Sequence, residues 1–201
     1  MRSKEPQNET AGILFAAAAY VLWGLFPLYW RLLDRVPPME IAVHRILWCA
    51  LFAGAVTLAR GRMRRVRRIV ARRRLVAALT VSSLLISTNW TIYIFSISLH
   101  QVLEAALGYF INPLLSILLG VFFLKERLSR LRLAAVVLAG AGLALKAVAL
   151  GHVPLIALGL AVTFGLYGLV RKLTPVDPID GLFFETGLLF PLVAAVVLFW
   201  A

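Results

Sequence analysis

Residues 102–124 read VLEAALGYFINPLLSILLGVFFL. Glu104 is the only charged side chain in the run. About 20 apolar residues in a row are what a helix needs to cross a bilayer. Inside the run, Glu104, Gly108, Asn112, Ser116 and Gly120 recur every four residues, which places small and polar groups in one slowly drifting stripe. Small residues let helices approach closely, and an amide in such a stripe either bonds across the contact or faces a cavity. The stripe is expected to turn toward the first three spans rather than toward lipid, because a bare amide in hydrocarbon is costly. Pro113 has no backbone N–H, so a carbonyl near Tyr109 is expected to be free, with a helix break beside Asn112. A kinked packing helix and a substrate site both fit this pattern.

The rest of the chain has the same character. Hydrophobic residues make up 62% of 201, charged residues 15%, and mean hydropathy is +0.91. A soluble domain is nearer ~45–50% apolar and ~25% charged. Spanning runs stand at 12–33, 40–59, 75–99, 102–124, 131–150, 153–170 and 181–201, so the fold class is an all-α membrane protein with a bundle of about seven transmembrane helices. The first run is too long for a signal-peptide core. Cys49 stands alone in an apolar run and reads as a small hydrophobe.

The net charge of +12 invites a nucleic-acid reading, most of all at Arg60–Arg74, which holds nine arginines in fifteen residues. No aromatics for base stacking are interleaved there, and both flanks are spanning runs. The stretch is read as a cytoplasmic loop that meets anionic lipid headgroups, with no nucleic-acid partner. With the N-terminus placed inside, residues 1–11 form a cytoplasmic tail and 17 of the 21 Lys and Arg fall on inner segments.

The chain also repeats. Phe164-Gly-Leu-Tyr-Gly-Leu169 echoes Tyr20-Val-Leu-Trp-Gly-Leu25 at an offset of 144, and Glu185 echoes Glu40 at 145. Five helices fit one period, and an odd number inverts the second copy across the membrane. Residues 12–150 are then the first repeat, and 153–201 the start of a second. A complete second repeat would end at about residue 290, so the chain is expected to be truncated. Glu40 and Glu185 are each expected in a first turn, at opposite faces of the membrane.

Ionisable groups in a bilayer cost a few kcal/mol unless paired or wet. Glu40 and His44 share a helix face at i and i+4, with Arg45 beside them. These three and Glu104 are expected to form a polar cluster at the outer mouth of a cavity; interfacial charges that reach up to water are the plainer alternative. Ser82, Asn89 and Ser96 are spaced by seven on one face, as packing contacts or pathway residues. Trp23 and Tyr167 are the aromatics of the repeated motif. His44, His100 and His152 share no helix at ligand spacing, so no metal site is expected. No Gly-x-Ser-x-Gly elbow or other catalytic constellation is found, and the reading is not an enzyme and needs no cofactor.

The order of motifs resembles RarD-type permeases of the EamA family, in the drug/metabolite transporter superfamily. It is carried by Ala19-Tyr-Val-Leu-Trp-Gly24 with Pro27, Glu40-Ile-Ala-Val-His-Arg-Ile-Leu-Trp48, Leu85-Ile-Ser-Thr-Asn-Trp90, Glu104-Ala-Ala-Leu-Gly-Tyr-Phe-Ile-Asn-Pro113, Lys125-Glu-Arg-Leu128 and Gly165-Leu-Tyr-Gly-Leu-Val-Arg-Lys172. The resemblance implies a bacterial inner-membrane permease of ten helices in two repeats, moving a small organic molecule. The alternatives are a non-transporting scaffold or an inactive fragment of such a permease.

Overall fold

The computed structural model describes residues 9–33 and 35–200. Its helices are α1 (Glu9–Arg31), α2 (Pro38–Ala59), α3 (Met63–Val70), α4 (Arg73–Ser98), α5 (Val102–Leu124), α6 (Arg130–Leu150), α7 (Leu155–Leu173) and α8 (Pro178–Trp200). No strand occurs among the described residues. The chain divides into two compact units, Met1–Pro37 and Pro38–Ala201.

The first unit holds α1, whose apolar part is Gly12–Phe26, shorter than a full span. The Trp23 ring meets Tyr20 there, centroids 6.4 Å apart. Most of the expected tail 1–11 lies outside the described residues.

In the second unit α2, α4, α5, α6, α7 and α8 are each long and apolar enough to cross a membrane. Six helices long and apolar enough to span are therefore present among the described residues, beside the shorter apolar stretch of α1. The expected arginine loop contains a helix of its own. In α3, Val66 and Ile69 lie one turn apart and are buried, while Arg64, Arg65, Arg67 and Arg68 are exposed. Apolar residues at i and i+3 among arginines make an amphipathic turn that lies on the bundle.

The later helices pack between the earlier ones. α7 lies against both α4 and α5, and α8 against both α2 and α4. Glycines make the first contact close: a Cβ on Gly108 of α5 would stand 3.0 Å from the Ala157 carbonyl oxygen of α7, and one on Gly165 of α7 would stand 2.9 Å from Leu115. α2 and α8 run antiparallel. Val43 and Ile46 near the start of α2 pack on Val193 near the end of α8, while Arg62, just beyond α2, pairs with Asp177, just before α8. α6 packs chiefly on α5 and has no buried residue in its spanning window. An apolar helix so exposed fits hydrocarbon surroundings rather than water.

The expected break in α5 is absent. The helix passes Pro113 without interruption, and the proline is on an exposed face.

The ion pairs fix which connections share a side. The α2–α4 corner, the α5–α6 link and the α7–α8 link are tied together by Arg62–Asp177 and Lys172–Glu126. This is the arginine side. The α4–α5 and α6–α7 links lie opposite, where Glu104 Oε1 is 3.7 Å from His152 Nε2.

Candidate functional site

Among the described residues Glu185 and Asp180 are the acidic groups most fully enclosed by protein, and Glu185 is the deeper of the two in α8. It is the eighth residue of α8, about 10 Å along the axis at 1.5 Å per residue, and 2% exposed. Ser82 of α4 donates to its carboxylate. Ser83 donates to its backbone carbonyl at 2.6 Å. Arg171, near the end of α7, brings Nη1 to 3.5 Å from Oε1. The guanidinium fits because residue 181 is glycine: a Cβ there would lie 2.1 Å from Arg171 Nη1. The Arg171 Nη1 atom is buried and has no hydrogen-bond partner, so the attraction is an ion pair rather than a hydrogen-bonded fork. Enclosed charges are tolerated only when opposed in this way.

A second pairing lies nearer the membrane face. Arg62 Nη1 donates to Asp177 at 2.6 Å and stands 3.5 Å from Asp180, itself 2% exposed. Asp177 also accepts the Ile179 amide at 3.0 Å, which caps the start of α8. Burial alone would push the Asp177 carboxyl up. The Arg62 hydrogen bond, the α8 amides and the Arg62 charge outweigh it and hold the group below its ordinary 3.8. Arg62 is raised in turn, chiefly by its hydrogen bond to Asp177. A third tie joins Lys172 to Glu126. Glu126 lies beside Gly120, and its amide bonds the Gly120 carbonyl at 3.2 Å.

The expected outer cluster does not form. Glu104 meets His152 instead, and Arg45 lies over the Trp90 ring, 4.4 Å from its centroid. Among the described residues Glu40 and His44 make no hydrogen bond or ion pair. Packing accounts for part of this: Gly108 meets Ala157 and Leu160, so the stripe of α5 faces α7 rather than α2 or α4. Asn112 is buried, and its Oδ1 has no hydrogen-bond partner. Tyr109 packs edge-on against Tyr93 at 5.9 Å. The Asn89 amide donates to the Leu160 carbonyl at 2.9 Å and to Thr163 at 2.8 Å. Tyr167 packs on Phe164, ring centroids 5.9 Å apart. Trp23 belongs to the first unit.

Glu185 is not in a first turn as expected. α8 starts at Pro178, a favoured first helical residue, so Asp180 is its third residue, as Glu40 is the third of α2 after Pro38. Arg62, Arg171, Asp177 and Asp180 were missed as site residues because each stands beside a helix end and reads as a flanking charge. The signal that could have found Arg171 is the enclosed Glu185, which needs a cation. Among the described residues no group of three His, Cys, Asp or Glu converges to hold a metal.

A family model described as the EamA-like transporter family matches residues 10–147. The chain is 46% identical over 198 residues to an uncharacterized transporter of Pseudomonas aeruginosa, covering 96% of this chain and 65% of that protein. It is 41% identical over 191 residues to the uncharacterized transporter YojE of Bacillus subtilis, 94% of this chain and 64% of that one. It is 43% identical over 188 residues to protein RarD of Salmonella typhi, again 94% and 64%. The chain thus spans less than two thirds of the length of these relatives. No solved structure matches it.

Proposed function

Because the chain belongs to the EamA-like transporter family, we propose that it works in a permease moving a small organic molecule, a drug or metabolite, across the bacterial inner membrane by alternating access. Residues 12–150 are then the first repeat and 153–201 the start of the second, with the N-terminus and the arginine side in the cytoplasm. That orientation follows the excess of Lys and Arg on the arginine-side segments. The basic stretch Arg60–Arg74 meets anionic headgroups there.

The observation that carries the reading is the enclosed Arg171–Glu185 pair within apolar helices. Charges placed at such cost mark pathways and gates in membrane proteins. On the arginine side, Arg171–Glu185, Arg62–Asp177 and Lys172–Glu126 draw α2, α5, α7 and α8 together. The opposite side has the 3.7 Å contact of Glu104 with His152 among the described residues. This asymmetry suits a permease closed toward the cytoplasm, whose opening parts Arg171 from Glu185. Catalysis plays no part in this reading.

The test loads proteoliposomes containing the chain with a mixed panel of cellular metabolites and drugs and follows their release. At least one compound is expected to leave faster than from empty liposomes. Glu185→Gln and Arg171→Gln are each expected to slow it about tenfold or more at equal protein content, the size of one lost charged contact. No compound released anywhere in the panel would leave the scaffold alternative standing.

A further inference from the structure

A cavity of about 340 Å³ opens between α3, the start of α4 and the α7–α8 link, and Arg65, Arg68 and Arg72 line one wall of it. Arg65 and Arg68, three residues apart, share one face of α3, and Arg72, the extended residue that precedes α4, lines the same cavity. That face is fixed, because Val66 and Ile69 anchor α3 from beneath. Asp177 and Asp180 line the facing wall and share Arg62, so with Arg65, Arg68 and Arg72 four guanidiniums stand against two carboxylates and positive charge is left over. Among the described residues the side chains of Arg65, Arg68 and Arg72 make no ion pair or hydrogen bond. Three guanidiniums around one small space repel each other unless an anion lies between them. Arginine forks match the oxygens of a phosphate in pairs of parallel hydrogen bonds. Leu75, in the first turn of the spanning helix α4, makes the cavity wall continuous with the apolar zone.

We propose that this cavity is a phosphate site, taking the headgroup phosphate of an anionic membrane lipid on Arg65, Arg68 and Arg72. The site rests on and sharpens the diffuse attraction of Arg60–Arg74 to anionic headgroups: one lipid is held at one place. A soluble phosphate offers the same oxygens but not the acyl chain that Leu75 would meet. Basic pockets at the membrane face between helices bind lipid headgroups in this manner.

The experiment is native mass spectrometry of the full chain in detergent, titrated with phosphatidylglycerol, phosphatidylcholine or inorganic phosphate. Two triple variants remove equal charge: Arg65→Gln with Arg68→Gln and Arg72→Gln at the cavity, and Arg64→Gln with Arg67→Gln and Arg74→Gln away from it. The expected result is one phosphatidylglycerol bound per chain, about tenfold weaker or more in the cavity variant and within about twofold in the control. Phosphatidylcholine is expected to bind far less. Inorganic phosphate bound with the same variant dependence, and no lipid preference, supports the phosphate site and assigns it a soluble ligand. Equal losses in both variants would overturn the cavity site while leaving the diffuse attraction intact. No preference for phosphatidylglycerol or phosphate in any form overturns both.

Discussion

Arg171 and Lys172 adjoin in sequence and carry the same charge, yet they hold different kinds of partner. Arg171 faces a carboxylate that is 2% exposed; the side chains of Lys172 and Glu126 are 59% and 50% exposed. Removing one member of an enclosed pair strands the other, at about 3–5 kcal/mol, whereas an exposed pair contributes about 0–1. Arg171→Met is therefore expected to lower unfolding free energy, read by detergent titration, by about 3 kcal/mol or more, and Lys172→Met by about 1 or less. Equal losses would mean that Glu185 is as well solvated as Glu126. Arg171→Met combined with Glu185→Leu is expected to recover most of the stability and none of the transport, because a stranded charge, not the missing pair, dominates the cost. Glu185 was legible in the sequence as a carboxylate inside an apolar run. Its partners were not. Ser82 precedes it by 103 residues, and nothing local distinguishes Arg171 from the other flanking cations that set orientation.

Among the elements, the spans were legible because about 20 apolar residues leave no other solution in a bilayer. The helical face of α3 was overlooked because its charge hid two apolar residues one turn apart. The α5 stripe was legible as a contact surface, but its partner was not, since a four-residue period says which face is buried and not against what. α7 is that partner, and the contact is specific enough to test. Gly108→Val would drive a side chain into the Ala157 backbone, 3.0 Å from the new Cβ, whereas a Cβ at Gly140 of α6 meets nothing within 4 Å. Overpacking of this kind costs about 1–3 kcal/mol, so Gly108→Val is expected to lower the unfolding midpoint in detergent clearly while Gly140→Ala leaves it unchanged or raised. A neutral Gly108→Val would count against the α5–α7 contact. The α7–α8 link offers a pH test. Because the folded Asp177 carboxyl lies below its unfolded value, its contribution is present above pH 3.8 and is lost as pH falls through the lower folded value. Asp177→Asn is therefore expected to be less stable than the parent at neutral pH, with the difference closing in strong acid. A difference that grows in acid would reverse the sign and exclude the Arg62 pairing as its cause.

For the whole molecule, cation placement in the sequence is what the proposed sidedness rests on, and the internal arrangement was not legible, because the order of helices in sequence is not their order in space. A reporter fused after Arg68 is expected to be cytoplasmic and one fused at His100 external; the reverse result would invert the proposed orientation without altering any contact. The interleaving of α7 and α8 among α2, α4 and α5 also bears on how the protein is made. Asn89 bonds a carbonyl 71 residues downstream, and Ser82 a carboxylate 103 residues downstream. At ~5–20 residues synthesised per second, the Ser82 partner follows by about 5–20 s. During that interval α4 sits in the membrane with its serines and amide unanswered. A nascent chain at this stage is a natural client for whatever shelters polar helices at the insertion machinery, and a natural target for membrane proteases if it stalls there.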